Sequence, residues 1–177
     1  MRVFSAVDIE KEEILKELER IQDKINLGFS TVARDKMHIT LQFFEEVDQE
    51  QLEEIEKGLE AVSMKPFTAE IKGLGAFPSR DYIRVVWAGV ESEKLQQLHE
   101  QVSSHGVPES SDHDFNPHVT LARVRDISPG KKRKLQKSLQ EFSGHDFGTL
   151  EVNSVKLLKS RLTGKGSRYR LLEEKEL

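Results

Sequence analysis

The chain is 177 residues long, 36% hydrophobic and 33% charged, which is enough for one domain with a sizeable core. Its net charge of −4 argues against a surface that coats nucleic acid broadly, and the absence of cysteine removes disulfides, thiolate metal sites and cysteine nucleophiles together. No apolar run approaches the roughly 20 residues of a membrane helix, and Met1 to Val7 reads as a strand rather than a signal peptide, so a cytoplasmic location without a membrane partner is expected.

Residues 2–7 form the first predicted strand. Ile14, Leu18, Ile21 and Ile25 recur at helical spacing, so an amphipathic helix covers about 9–26. A short extended piece, 29–34, leads to a strand at 38–44. Asp48 is an N-cap with Gln51 completing a capping box, and Leu52, Ile55, Leu59 and Val62 give the next helix its apolar stripe. Phe67, Ala69 and Ile71 alternate as a strand, after which Gly73, Gly75, Pro78 and Ser79 mark a loop. Tyr82 to Val90 is a strong strand containing Trp87, and Ser92 caps a helix with Leu95, Leu98 and Val102 on one face. A polar loop over 103–114 precedes a strand at about 118–124. Ser128 is an N-cap followed by Pro129 at the first helical position, with a stripe of Leu135, Leu139 and Phe142. Two strands near 148–159 and 167–174 close the chain around Gly164-Lys165-Gly166.

One motif occurs twice: His38-Ile39-Thr40-Leu41 and His118-Val119-Thr120-Leu121. Side chains alternate across a strand, so each copy puts a histidine and a hydroxyl on one face and two apolar anchors on the other. With an offset of 80 the likeness continues: cap Asp48 meets cap Ser128, Ile55 meets Leu135, Leu59 meets Leu139, Val62 meets Phe142 and Phe67 meets Phe147. One inserted residue later, Ser79-Arg80 meets Ser160-Arg161. This order of matches predicts a duplication: a single α+β bilobal domain over 1–177. Its two antiparallel sheets would be related by a pseudo-two-fold axis and face a central cleft, with helices on the outer faces.

Paired histidines suit metal-free acid–base displacement at phosphorus. One imidazole takes a proton from water while the other gives one to the departing oxygen. Threonine hydroxyls can hold the non-bridging oxygens, and arginine adds a planar fork matched to phosphate. Arg123 is nearest in sequence, five residues after His118, but strict alternation sends it to the opposite face unless a twist or bulge re-aims it. Charge is segregated as well. Residues 45–60 carry eight acids and one base, residues 151–172 one acid and six bases, so one end of an acidic molecule can attract phosphate. The rival reading is a metal site at Asp112, His113 and Asp114, for which no recognised ligand spacing appears. His99, His105 and His145 read as surface residues, and Asp8 as a turn or cap.

Paired HxTx strands in a duplicated chain of this length resemble the 2H phosphoesterases, and among them the RNA 2′,3′-cyclic phosphodiesterases also called LigT-like or 2′-5′ RNA ligases. The resemblance runs through Arg2 to Val7, His38 to Val47, Gly75 to Ser79, Trp87 to Val90, Phe115 to Arg123, and Leu158, Ser160, Leu162-Thr163 and Tyr169. It implies a bilobal fold, no cofactor or metal, and hydrolysis of a terminal 2′,3′-cyclic phosphate to a 2′-phosphate. His38 would be proton donor, His118 proton acceptor, and Thr40, Thr120 and Arg123 the phosphate holders. Ser79, Arg80, Ser160 and Arg161 would sit at the substrate rim. The partner implied is RNA ending in a cyclic phosphate, such as a tRNA half, acted on by a monomer. The alternatives are 2′-5′ ligation, as the reverse reaction, and a binder of such ends without turnover. Met37, Glu45 and Gly164 depart from the family pattern, and of these Glu45 bears on substrate range.

Overall fold

The computed structural model describes residues 1–103, 114–164 and 166–177. His105, Asp112, His113 and Lys165, and with them most of the polar loop at 103–114, lie outside the described residues. Among the described residues nine strands form: β1 (Arg2–Asp8), β2 (Ser30–Thr31), β3 (His38–Phe44), β4 (Phe67–Pro78), β5 (Ile83–Glu91), β6 (His118–Arg123), β7 (Asp146–Val152), β8 (Ser154–Thr163) and β9 (Gly166–Glu176). Four helices accompany them: α1 (Glu12–Ile25), α2 (Gln49–Glu60), α3 (Glu93–Ser103) and α4 (Pro129–Glu141). Two of the three caps expected from sequence are present, at Asp48 and Ser128, while the Ser92 hydroxyl ahead of α3 donates to Thr68 O on β4. Asp48 and Gln51 form the reciprocal box, and Ser128 accepts from the backbone of Lys131 ahead of Pro129.

The fold is α+β, and every strand pairing is antiparallel. The order β7-β4-β5-β6-β3-β1-β8-β9, with β2 beside β6, makes the two sheets expected from the motif into two halves of one sheet. They join at the motif strands through a single partner pair, Ile39 with Val119. β3 and β6 thus take matching places either side of the join, as do β1 and β5 one strand further out. The helices cross over. α1 follows β1 but packs on β6 and β7, and α3 follows β5 but packs on β3 and α2. α4 lies on β4, and α2 on β8 and β9. The core is the apolar side of this arrangement, where Leu18, Ile39, Leu121 and Leu135 are fully buried, each contributing ~1.5–3 kcal/mol.

Two sequence expectations fail instructively. Gly73 and Gly75 do not mark a loop, because β4 runs through them to Pro78. Gly73, at φ +75°, sits where the register against β5 slips between Lys72 and Leu74. Gly75 is a close approach, since a Cβ there would fall 2.2 Å from the Trp87 ring. Glycine in a strand pattern signalled a bulge and a tight contact, not an end. The strand expected at 148–159 is two strands, β7 and β8, separated at Asn153.

Both motif strands carry a bulge at the same place. Opposite β1, Ser5 pairs with Gln42 and Ala6 with Thr40, leaving Leu41 extra. Opposite β5, Val86 pairs with Ala122 and Trp87 with Thr120, leaving Leu121 extra. A bulge releases a carbonyl from the ladder, and the crossing helices cap both. His99 on α3 donates Nδ1–H to Leu41 O at 2.9 Å, and Gln22 on α1 donates to Leu121 O at 2.7 Å.

Candidate active site

The two histidines are mounted alike. Each Nδ1 lies against the backbone carbonyl two residues earlier, His38 against Lys36 at 2.8 Å and His118 against Asn116 at 2.7 Å. Nδ1–H therefore donates, and each Nε2 is left with its lone pair for the cleft. Nε2 of His38 is 3.1 Å from the Thr40 hydroxyl, accepting from it when the ring is neutral and donating to it when the ring is protonated. Walls of rings fix both imidazoles. His38 meets Phe4 at 5.1 Å and the edge of Tyr169 at 5.6 Å, and His118 meets the edge of Phe77 at 4.9 Å with Trp87 behind at 6.1 Å. Since Ile39 pairs with Val119, the motif residues flanking that pair, His38 and Thr40 on one strand and His118 and Thr120 on the other, gather around the join.

Burial pushes both imidazoles below the ordinary histidine value, because a buried charged form loses solvation. The carbonyl bond opposes this at each ring, and Arg123 adds to it at both. Among the described residues a carboxylate acts on His38 alone: Asp8, its pairing partner on β1, raises it. Asp8 was expected to be a turn or cap residue. It is instead the last residue of β1, bonded to the Lys156 ammonium at 2.8 Å, and that bond is the main reason Lys156 is pushed up.

The bulge at Leu121 resolves the position of Arg123. Leu121 and Ala122 are both buried, alternation slips by one, and Arg123 returns to the side of His118 and Thr120. The equivalent bulge at Leu41 gives β3 the same slip, and the fifth residue after His38 is Phe43, 52% exposed. The two halves of the cleft thus offer a cation on one side and an aromatic face on the other. Beside Thr40 and His118 opens a pocket of about 520 Å³ lined by Phe43, Phe77, Pro78, His99, Phe115 and Asn116. Phe115 and His99 stack at 4.2 Å with 6° between their planes.

The remaining sequence candidates divide. Ser160 lies on β8 opposite Tyr169 and so on the ring-lined side, while Arg161 is exposed beside it. Ser79 and Arg80 follow Pro78 of the pocket wall and are held by bonds of their own. The Ser79 hydroxyl closes the β4–β5 turn by accepting from the backbone of Asp81 and Tyr82, and Arg80 donates to Gln140 on α4. His99 and His145 are not surface residues. His99 caps the bulge, and His145 bonds Glu17 at 2.6 Å between Phe142 and Phe147. Met37 is buried in the core, and Glu45 is held near Arg2 at 3.8 Å. Among the described residues no group of three histidine or acidic side chains could hold a metal ion, and no helix is long and apolar enough to cross a membrane. Asp8, Phe4 and Phe43 carried no functional signal in the sequence, for their importance comes from pairing and bulges that join distant segments.

Residues 3–177 match the family described as the AKAP7 2′5′ RNA ligase-like domain. An RNA 2′,3′-cyclic phosphodiesterase of Methanocaldococcus jannaschii is 35% identical over 179 residues, spanning 98% of this chain and 99% of that protein. Among solved structures, TT0787 of Thermus thermophilus superposes with a TM-score of 0.84 at 30% identity, covering 100% of this chain and 98% of that one. Escherichia coli LigT complexed with NADP+ gives 0.76 at 25% identity, covering 99% and 97%. Sequence likeness along the whole length and a shared sheet place the chain in the 2H phosphoesterases, within the AKAP7 2′5′ RNA ligase-like domain family.

Proposed function

We propose that this chain is a metal-independent RNA 2′,3′-cyclic phosphodiesterase that opens a terminal cyclic phosphate to a 2′-phosphate. The observation that carries this reading is the matched mounting of two imidazoles, each anchored through Nδ1 and offering Nε2 to one cleft. Water attacks phosphorus and passes a proton to Nε2 of His118. The bond from phosphorus to the 3′-oxygen breaks, and protonated His38 delivers its Nε2 proton to that oxygen. The product has a 2′-phosphate and a 3′-hydroxyl, and exchange with solvent resets both rings. Thr40, Thr120 and Arg123 hold the non-bridging oxygens as charge builds on them. Asp8 favours protonation at His38 and not at His118, which supports His38 as the acid. The aromatic pocket at Phe43 and Phe115 suits the base of the terminal nucleotide. The relatives' names, RNA 2′,3′-cyclic phosphodiesterase, agree with this substrate.

The test is incubation of RNA ending in a 2′,3′-cyclic phosphate with the protein in EDTA, followed by identification of the product terminus. A 2′-phosphate is expected. His38→Ala and His118→Ala should each lower kcat by about 10²–10⁴. A 3′-phosphate would reverse the leaving oxygen, and either variant turning over at the wild-type rate would sink the paired-histidine mechanism.

A further inference from the structure

The ribbon formed by β8 and β9 has two unlike faces near its turn. On one, Ser160 opposes Tyr169, whose ring edge touches His38. On the other, Lys159 lies directly opposite Arg170 and Arg161 directly opposite Arg168. Like charges placed directly across a strand pair repel, and here two such pairs are stacked in succession. The same row of β8 begins with Val155 and Leu157, fully buried in the core, and turns basic from Lys159 onward. Nothing among the described residues forms an ion pair with any of the four cations, whereas Lys156, nearer the base of the ribbon, has three carboxylates within 2.8–3.6 Å. Acids that could have neutralised them lie at the far end of β9, where burial, with Glu60 and Glu56 nearby, raises Glu173. The four cations line a concavity of about 260 Å³, and its fifth member is Tyr169, the residue that also meets His38.

We propose that the face of the β8–β9 ribbon carrying Lys159, Arg161, Arg168 and Arg170 binds the phosphate backbone of an RNA strand whose end lies in the histidine cleft. Uncompensated cations at regular spacing along one face suit a ligand with regularly spaced negative charges. A phosphate chain laid on the ribbon screens both repulsive pairs at once, and Tyr169 joins that face to the scissile site. The inference rests on the RNA reading above for what occupies the cleft. It adds that recognition extends past the terminal nucleotide, so that long ends are held better than short ones.

The test compares wild type with Arg168→Gln/Arg170→Gln, which breaks one member of each cross-strand pair. Fluorescence anisotropy follows binding of a roughly 12-nucleotide RNA bearing a 2′-phosphate, a ligand that needs no turnover, over a range of salt. The variant is expected to bind about tenfold more weakly near 0.1 M salt, with the magnitude of the log–log salt slope reduced by roughly 1.4 for two lost contacts to a single strand. Hydrolysis of a dinucleotide cyclic phosphate should stay within about twofold, which also reports an intact fold. Unchanged RNA affinity and slope would overturn the proposal, as would loss of binding to phosphatidylserine vesicles with RNA binding untouched. A wild-type protein that binds RNA through the ribbon but hydrolyses nothing would refute the phosphodiesterase reading and leave this one standing.

Discussion

Two imidazoles in equivalent positions are not equivalent acids. Both are depressed by burial, and Asp8 distinguishes them. Asp8→Asn removes the one carboxylate that raises His38 and leaves the Lys156 ammonium nearby without its main partner. The pKa of His38 should therefore fall further. With His38 as acid and His118 as base, as proposed, the alkaline limb of the pH–rate profile moves to lower pH and the acidic limb stays. Movement of the acidic limb instead would exchange the two roles. His38, Thr40, His118 and Thr120 were legible in the sequence because a period of two is written into four consecutive residues. Asp8, Phe4 and Tyr169 were not, because they reach His38 through strand pairing and ring contacts across long sequence separations.

Bulges decide what a motif strand can present. Without the extra residue at Leu121, Arg123 would face the core side; with it, the guanidinium comes to the side of His118 and Thr120, where the proposed mechanism needs it. The carbonyl of Leu121 accepts from Val32 N and from Gln22, a buried side chain on α1 whose amide also donates to Val32 O at 2.9 Å. Gln22→Leu takes the side-chain donor from the Val32 carbonyl and leaves Leu121 O with the Val32 N–H alone, at 2.9 Å. It should cost about 1–3 kcal/mol in chemical denaturation. It should also reduce kcat/KM through Arg123 more than it affects binding of the base. Retention of full activity would mean that the bulge holds itself. The elements themselves could be read from periodicity and caps. The continuation of β4 through Gly73 and Gly75 could not, since glycine announces a bulge and a loop with the same letter. The bulge at Leu41 was equally silent, and so Phe43 as the counterpart of Arg123 came only with the fold.

For the molecule as a whole, the half-buried histidines link stability to pH. Their folded-state pKa values lie below those of the unfolded chain, so the unfolded chain binds more protons as acidity rises. Stability is full above about pH 6.5 and declines below it. Glu17 acts in a lower window. The Arg20 hydrogen bond leads the effects that hold it down to about 2, so its contribution is lost only as pH falls from 4.5 toward that value. Thermal melts from pH 8 to 5 should therefore show a decline in Tm that His38→Gln/His118→Gln flattens, and a curve unchanged by both substitutions would contradict the burial argument. At this scale the sequence announced two similar stretches, but not that the helices between them trade places.

That exchange reaches beyond the cleft. α1 has its packing surface on β6 and β7, β4 has both its strand neighbours in later sequence, and β1 borrows β8. A fragment ending before β5 keeps only the β1–β3 pairing, with a greasy helix and a stranded β4 that have nothing of their own to cover. Such a fragment becomes a folded object only beside a second chain that lends it the missing surfaces, each copy lodging its helix on the other. Carrying both halves on one polypeptide turns that encounter between molecules into an internal certainty.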